Sequence, residues 1–104
     1  MPKAKSRILE TVHETARGLR KAGAIDLQTM REFDALCLDP VKAFDAAQIR
    51  RLRARAKASQ AVFAAYLNTS ASTVQKWETG QKKPSGPALK LLNLVAKNGL
   101  EALA

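Results

Sequence analysis

Ala71, Ser72, Gln75, Lys76 and Thr79 are spaced so that small, hydroxyl, amide and ammonium groups gather on one side of a helix. At about 100° per residue they fall within roughly 140° of one another. Val74, Trp77 and Thr73 fall on the opposite side, with Glu78 at its border. One face is apolar and carries an indole. The other offers the donors and acceptors that pair with base edges in a DNA groove. Ala71, Ser72, Gln75 and Lys76 are therefore the candidate base-contacting residues.

The elements that must hold this face lie between Ser59 and Pro84, SQAVFAAYLNTSASTVQKWETGQKKP. Ser59 is a good N-cap, because its hydroxyl can accept an orphan backbone N–H. Val62, Phe63, Ala64, Tyr66 and Leu67 supply apolar helix positions. Asn68 stands where the chain must turn, and Asn tolerates the left-handed conformation better than other non-glycine residues. Ser70 can cap a second helix by reaching the N–H of Thr73. Gly80 closes that helix, and Pro84 prevents an immediate restart. The inner face is expected on Ala64 and Leu67, where the small Ala64 allows close approach. Two short helices joined by a tight turn are the layout of a helix-turn-helix, whose second helix enters the major groove.

The segment resembles the Cro/phage-repressor-like helix-turn-helix family, often called XRE-type. The matching residues are Ser59-Gln60, Ala64, Leu67, Ser70, Val74, Trp77-Glu78, Gly80 and Pro84, together with Arg53 in the preceding IRRLR. The likeness covers about Asp45 to Lys97, with Asn68 where the family often has Gly. It implies an all-α, lambda-repressor-like helix-turn-helix bundle. It also implies that Gln60 touches a phosphate and that Arg53 pairs with Glu78. Lys82 and Lys83 follow the recognition helix, where the phosphate backbone should pass. Ser59, Ser70 and Thr79 complete the candidate phosphate contacts. The whole chain also resembles the HigA/NadS-like antitoxins of type II toxin–antitoxin pairs. That likeness rests on an N-terminal helix, on MREFDALCL at Met30–Leu38 and on PSGPALKLLNLV at Pro84–Val95. It implies a small RelE/HigB-like ribonuclease toxin as partner.

Composition agrees with a small helical DNA binder. Of 104 residues, 46% are apolar but only 5% aromatic, so the core must be mostly Leu, Ala and Val. Residues 1–44 hold 8 Lys/Arg against 6 Asp/Glu, and residues 45–104 hold 10 against 3, so the net +9 divides as +2 and +7. The positive field sits on the half that carries the motif, and such a field steers toward phosphates. The single Cys37 excludes an internal disulfide and reads as a small buried residue. One His and one Cys cannot build a metal site. There is no GxSxG, no Gly-rich phosphate loop and no paired carboxylates, so an enzyme is not expected and no cofactor is called for. No apolar run is long enough to span a membrane, and a cytoplasmic protein fits.

Along the chain, Ile8, Leu9, Val12, Ala16 and Leu19 predict a helix over about Ser6–Ala22, stopped by Gly23. Asp26 caps a shorter element carrying Leu27, Met30, Phe33 and Leu36, while Leu36-Cys37-Leu38 reads equally well as extended. Asp39-Pro40 breaks the chain. Asp45 caps a helix to about Lys57, with Ile49, Leu52 and Ala56 inward and Arg50, Arg51 and Arg55 outward. Ser85 caps a last helix with Pro87 in its first turn. Its inward stripe is Ala88, Leu91, Leu92 and Val95, and Asn98-Gly99 ends it. The remaining apolar surface of this helix, with Leu100 and Leu103 of the tail, is the candidate dimer contact. These elements divide into an N-terminal helical arm, 1–44, and a DNA-binding domain, 45–104.

Three functions compete. The first is an antitoxin that binds double-stranded operator DNA as a homodimer, represses its own operon and neutralises its toxin through the arm. Met30, Phe33, Leu36 and Leu38 are then the toxin-binding candidates, because they are large apolar residues outside the DNA module. The second is a stand-alone XRE-type transcriptional regulator whose arm serves only dimerisation. The third is an interaction protein whose helix-turn-helix binds protein or RNA.

Overall fold

The computed structural model describes residues 7–104, all helix and loop with no strand among them. The start of the first expected helix, at Ser6, lies outside the described residues. The chain forms two compact units, divided between Pro40 and Val41.

The first unit is a pair of helices, α1 (Arg7–Lys21) and α2 (Leu27–Leu36). Gly23 adopts φ 79° and lets the chain reverse after α1, where Ala24 N–H bonds the Leu19 carbonyl at 2.8 Å. Asp26 caps α2 by accepting from Thr29 N–H at 2.8 Å. The helix runs through Leu36, and Cys37 then caps it, buried, with its thiol 3.5 Å from the Leu9 carbonyl. The helical alternative for Leu36 therefore holds over the extended one. His13 Nε2 lies 2.7 Å from Asp34 Oδ1, which joins the two helices, while Arg17 donates to Nδ1 at 3.2 Å. The buried apolar residues are Ala16, Met30 and Cys37. Ile8, Leu19, Leu27, Leu36 and Leu38 stay exposed.

The second unit holds α3 (Ala46–Ala56), α4 (Gln60–Tyr66), α5 (Ala71–Thr79), α6 (Gly86–Asn98) and a closing 3-10 turn, Leu100–Leu103. A capping box starts α3: Asp45 accepts from Gln48 N–H, and Gln48 Oε1 accepts from Asp45 N–H, both at 2.8 Å. Such reciprocal bonds satisfy two donors that a helix start otherwise leaves orphaned. Lys57 does not extend α3. It ends the helix in the left-handed conformation, φ 56°.

The core of this unit joins Ile49, Leu52, Phe63, Ala64, Leu67, Val74, Trp77, Leu92, Val95 and Leu100. Leu100 thus belongs to its own domain's interior, with Leu103 half-buried against it. The 3-10 turn folds the expected tail back onto the core. Ser85 precedes α6 without a side-chain cap bond; Pro87, which has no N–H to satisfy, opens the helix instead. Asn93 ties the incoming segment to α6. Its Oδ1 accepts from Lys42 N–H and its Nδ2 donates to the Lys42 and Leu89 carbonyls, each at 2.9 Å.

Candidate nucleic-acid interface

Two N-caps, one left-handed asparagine and one glycine shape the interface. Ser59 accepts from Val62 N–H and Ser70 from Thr73 N–H, both at 3.1 Å. Between them Asn68 takes φ 56°, and Thr69 N–H reaches back to the Ala64 carbonyl at 2.9 Å. Gly80, at φ 81°, closes α5. These local devices turn α5 against α4, so that Phe63 and Ala64 meet Val74 and Trp77 in the core.

The outer face of α5 is open. Ala71, Ser72, Gln75 and Lys76 are exposed, whereas Val74, Trp77 and Glu78 are buried. Lys82 and Lys83 are exposed in the loop beyond Gly80. The Ser59 hydroxyl accepts its cap bond and keeps its proton to donate. The Ser70 hydroxyl also meets the Thr73 hydroxyl at 2.9 Å. Thr79 differs from the other phosphate candidates. Its hydroxyl already donates to the Lys76 carbonyl at 3.2 Å, which leaves no proton for a phosphate oxygen in this rotamer.

Behind this face, Glu78 is the one buried charged residue among the described ones, only 4% exposed. Arg53 donates to it in bidentate fashion, Nε to Oε2 at 2.6 Å and Nη2 to Oε1 at 2.9 Å. Planar guanidinium and carboxylate match in this arrangement, which is the strongest form of such a pair. Arg53 also donates from Nη1 to the Ala58 carbonyl at 3.1 Å, so one guanidinium links α3, the loop after it and α5. Gln60 donates from Nε2 to Glu78 Oε1 at 3.2 Å and retains a second N–H. Arg50 Nη1 donates to the Glu78 main-chain carbonyl. The Arg53 hydrogen bonds hold the Glu78 carboxyl below the usual carboxylate range, with help from Gln60 and the Arg50 charge, against the opposing effect of burial. Each side-chain nitrogen and oxygen buried in the described part of the molecule has a hydrogen-bond partner.

Arg53 and Glu78 meet, and the base-edge candidates share one exposed face. Two features escaped the sequence reading. Arg50 is exposed, as expected, but its guanidinium also reaches the end of α5. Gln60, expected to face a phosphate, turns part of its amide inward to Glu78. The Arg50–Arg53 spacing was the available signal, because residues three apart share a helix face.

The toxin-binding candidates separate in the first unit. Met30 is buried and Phe33 half-buried, so Met30 belongs to the packing of its own helices. Leu36 and Leu38 stand out at 64% and 63% exposure. No described helix is long and apolar enough to cross a membrane.

Residues 46–92 match a family model described as a helix-turn-helix domain. Antitoxin HigA-2 of Vibrio cholerae serotype O1 is 39% identical over 51 residues, 49% of this chain and 49% of that protein. The chain thus spans about half the length of the curated relative it matches.

Proposed function

We propose, from the premise that residues 46–92 are an XRE-like helix-turn-helix domain, that the protein is a DNA-binding antitoxin of the HigA kind. It reads operator DNA through Ala71, Ser72, Gln75 and Lys76, with Ser59, Gln60, Ser70, Lys82 and Lys83 on phosphates. The single observation that carries this reading is the two-sided recognition helix. One side of α5 is exposed and hydrogen-bonding, while Val74, Trp77 and a bidentate Glu78 anchor the other. One such helix reads about half a site, so the protein acts as a two-fold dimer on paired half-sites. The relative's printed name supports the antitoxin role. In that role the protein represses its own operon and neutralises a small RelE/HigB-like ribonuclease toxin in the cytoplasm. The first unit supplies the toxin surface, through exposed Leu36 and Leu38 with Phe33 beside them.

Two measurements test this. The affinity of the full chain for its operator should fall by orders of magnitude between about 50 and 200 mM salt, because several phosphates are neutralised per subunit. A flat response removes the DNA reading. Leu36→Glu with Leu38→Glu should leave DNA binding intact and abolish protection from the product of the adjacent reading frame. If protection survives, the stand-alone regulator becomes the better reading.

A further inference from the structure

The last turn of a helix leaves carbonyls without intrahelical partners. In α5 the Lys76 carbonyl accepts from Lys82 N–H at 3.2 Å, and the Trp77 carbonyl from Gly80 N–H at 3.4 Å. The Glu78 carbonyl is served from another helix, by Arg50 Nη1. A cation there also faces the negative end of the helix dipole. Arg50 and Arg53 stand three residues apart on α3, and together they hold one residue of α5 by its main chain and by its carboxylate.

This arrangement bears on readout. Of the base-contacting candidates, Ala71 and Ser72 lie at the opposite end of α5 from Glu78, and Gln75 and Lys76 within one turn of it. A small swing about Glu78 therefore displaces Ala71 and Ser72 most, and contacts to base edges tolerate little displacement. Arg53 alone fixes a side chain, which can rotate about its own bonds. Adding a bond to the main-chain carbonyl fixes the helix itself.

We propose that Arg50 is a positioning residue for base readout: it sets the angle of the recognition helix and is not one of the phosphate-neutralising cations. This rests on the DNA-reading function proposed above, so the experiment must separate the two. The wild-type chain is first used to enrich a duplex from a randomised pool. Fluorescence anisotropy then measures the affinity of each variant for that duplex, and for a scrambled duplex of equal composition, across a salt series.

Arg50→Ala should cut the ratio of the two affinities by about tenfold, the scale of one charge-assisted hydrogen bond, with the salt slope unchanged. Arg50→Lys keeps the charge and one donor and should lose less. It also gives the same reading if Arg50→Ala melts too low to assay. Arg51→Ala, which removes an exposed charge one residue along, should leave the ratio unaltered.

Equal losses on both duplexes, with a slope shallower by about one, would make Arg50 a phosphate contact and overturn the proposal. An Arg51→Ala ratio that falls as far as that of Arg50→Ala would overturn it as well, by showing a general charge effect. A pool from which wild type enriches nothing would defeat the DNA-reading function itself, and this inference with it.

Discussion

The two units of this chain bury their apolar residues to different degrees. Val41–Ala104 gathers Phe63, Ile49, Leu92 and Val74 to near-zero exposure and surrounds them with capped helix ends. Its one buried charge receives two bonds from a guanidinium and one from an amide. The helix pair before it buries Ala16, Met30 and Cys37 yet leaves Ile8, Leu27, Leu36 and Leu38 more than half exposed. A unit that completes its own core has its outer surface free for polar recognition. A unit that leaves leucines in water retains its hydrophobic contribution for another surface. The difference sets a unit with a closed core beside a helix pair that leaves large apolar side chains in water.

Core truncation should separate the units most sharply. Leu92→Ala should destabilise by about 3 kcal/mol, as expected for a fully buried leucine. Leu38→Ala should change stability by less than about 0.5 kcal/mol. Chemical denaturation of both variants checks this, and equal losses would erase the distinction between the units.

Arg53→Ala leaves the Glu78 carboxylate buried without its main partner and should cost about 3 kcal/mol, in the absence of DNA. Glu78→Ala should cost a similar amount, and the double variant much less than the sum of the two. A double-mutant cycle with no coupling energy would mean that the pair is incidental to the second unit.

Acid provides a gentler probe. The folded Glu78 carboxyl lies below its ordinary value of 4.5, so the unfolded chain binds the proton first. Its contribution is therefore complete above that ordinary value and is lost as pH falls through the lower, folded one. Stability of the wild type should drop in this acidic window. Glu78→Gln should be less stable at neutral pH and should flatten that part of the profile.

The smallest effects lie at the two left-handed non-glycine residues. Lys57→Gly should gain up to about 1 kcal/mol by relieving a conformation that a long side chain disfavours. Asn68→Gly should be close to neutral, because asparagine already tolerates that conformation. A thermal melt of each variant suffices, and a larger gain at Asn68 would reverse the assignment.

Much of the interface was legible because its parts obey local rules. Ser59, Ser70, Asn68 and Gly80 each announce a cap or a turn from residue type and place alone. The angular sorting of α5 needs only helical periodicity. What stayed hidden depends on tertiary neighbours. The destination of Arg50 is a carbonyl on another helix, 28 positions away. Leu100 enters the core only because a 3-10 turn folds it back. Lys57 ends α3 in a conformation its residue type does not suggest. The division of the arm's apolar residues into buried Met30 and exposed Leu38 needed the packing of α1 on α2. Helical spacing alone placed Ile8 and Leu19 on the same stripe as Ala16, yet only Ala16 is buried.

The Asn93 amide has a further consequence, for the lifetime of the intact chain. A protease acting after basic residues must draw the backbone into an extended, unpaired form before it can cut. Lys42 lies at the start of the second unit, where one cut would part the helix pair from the helix-turn-helix unit. Its N–H and its carbonyl are both held by Asn93. Opening that site means surrendering two bonds at once, so the chain should be severed elsewhere first unless Asn93 is removed.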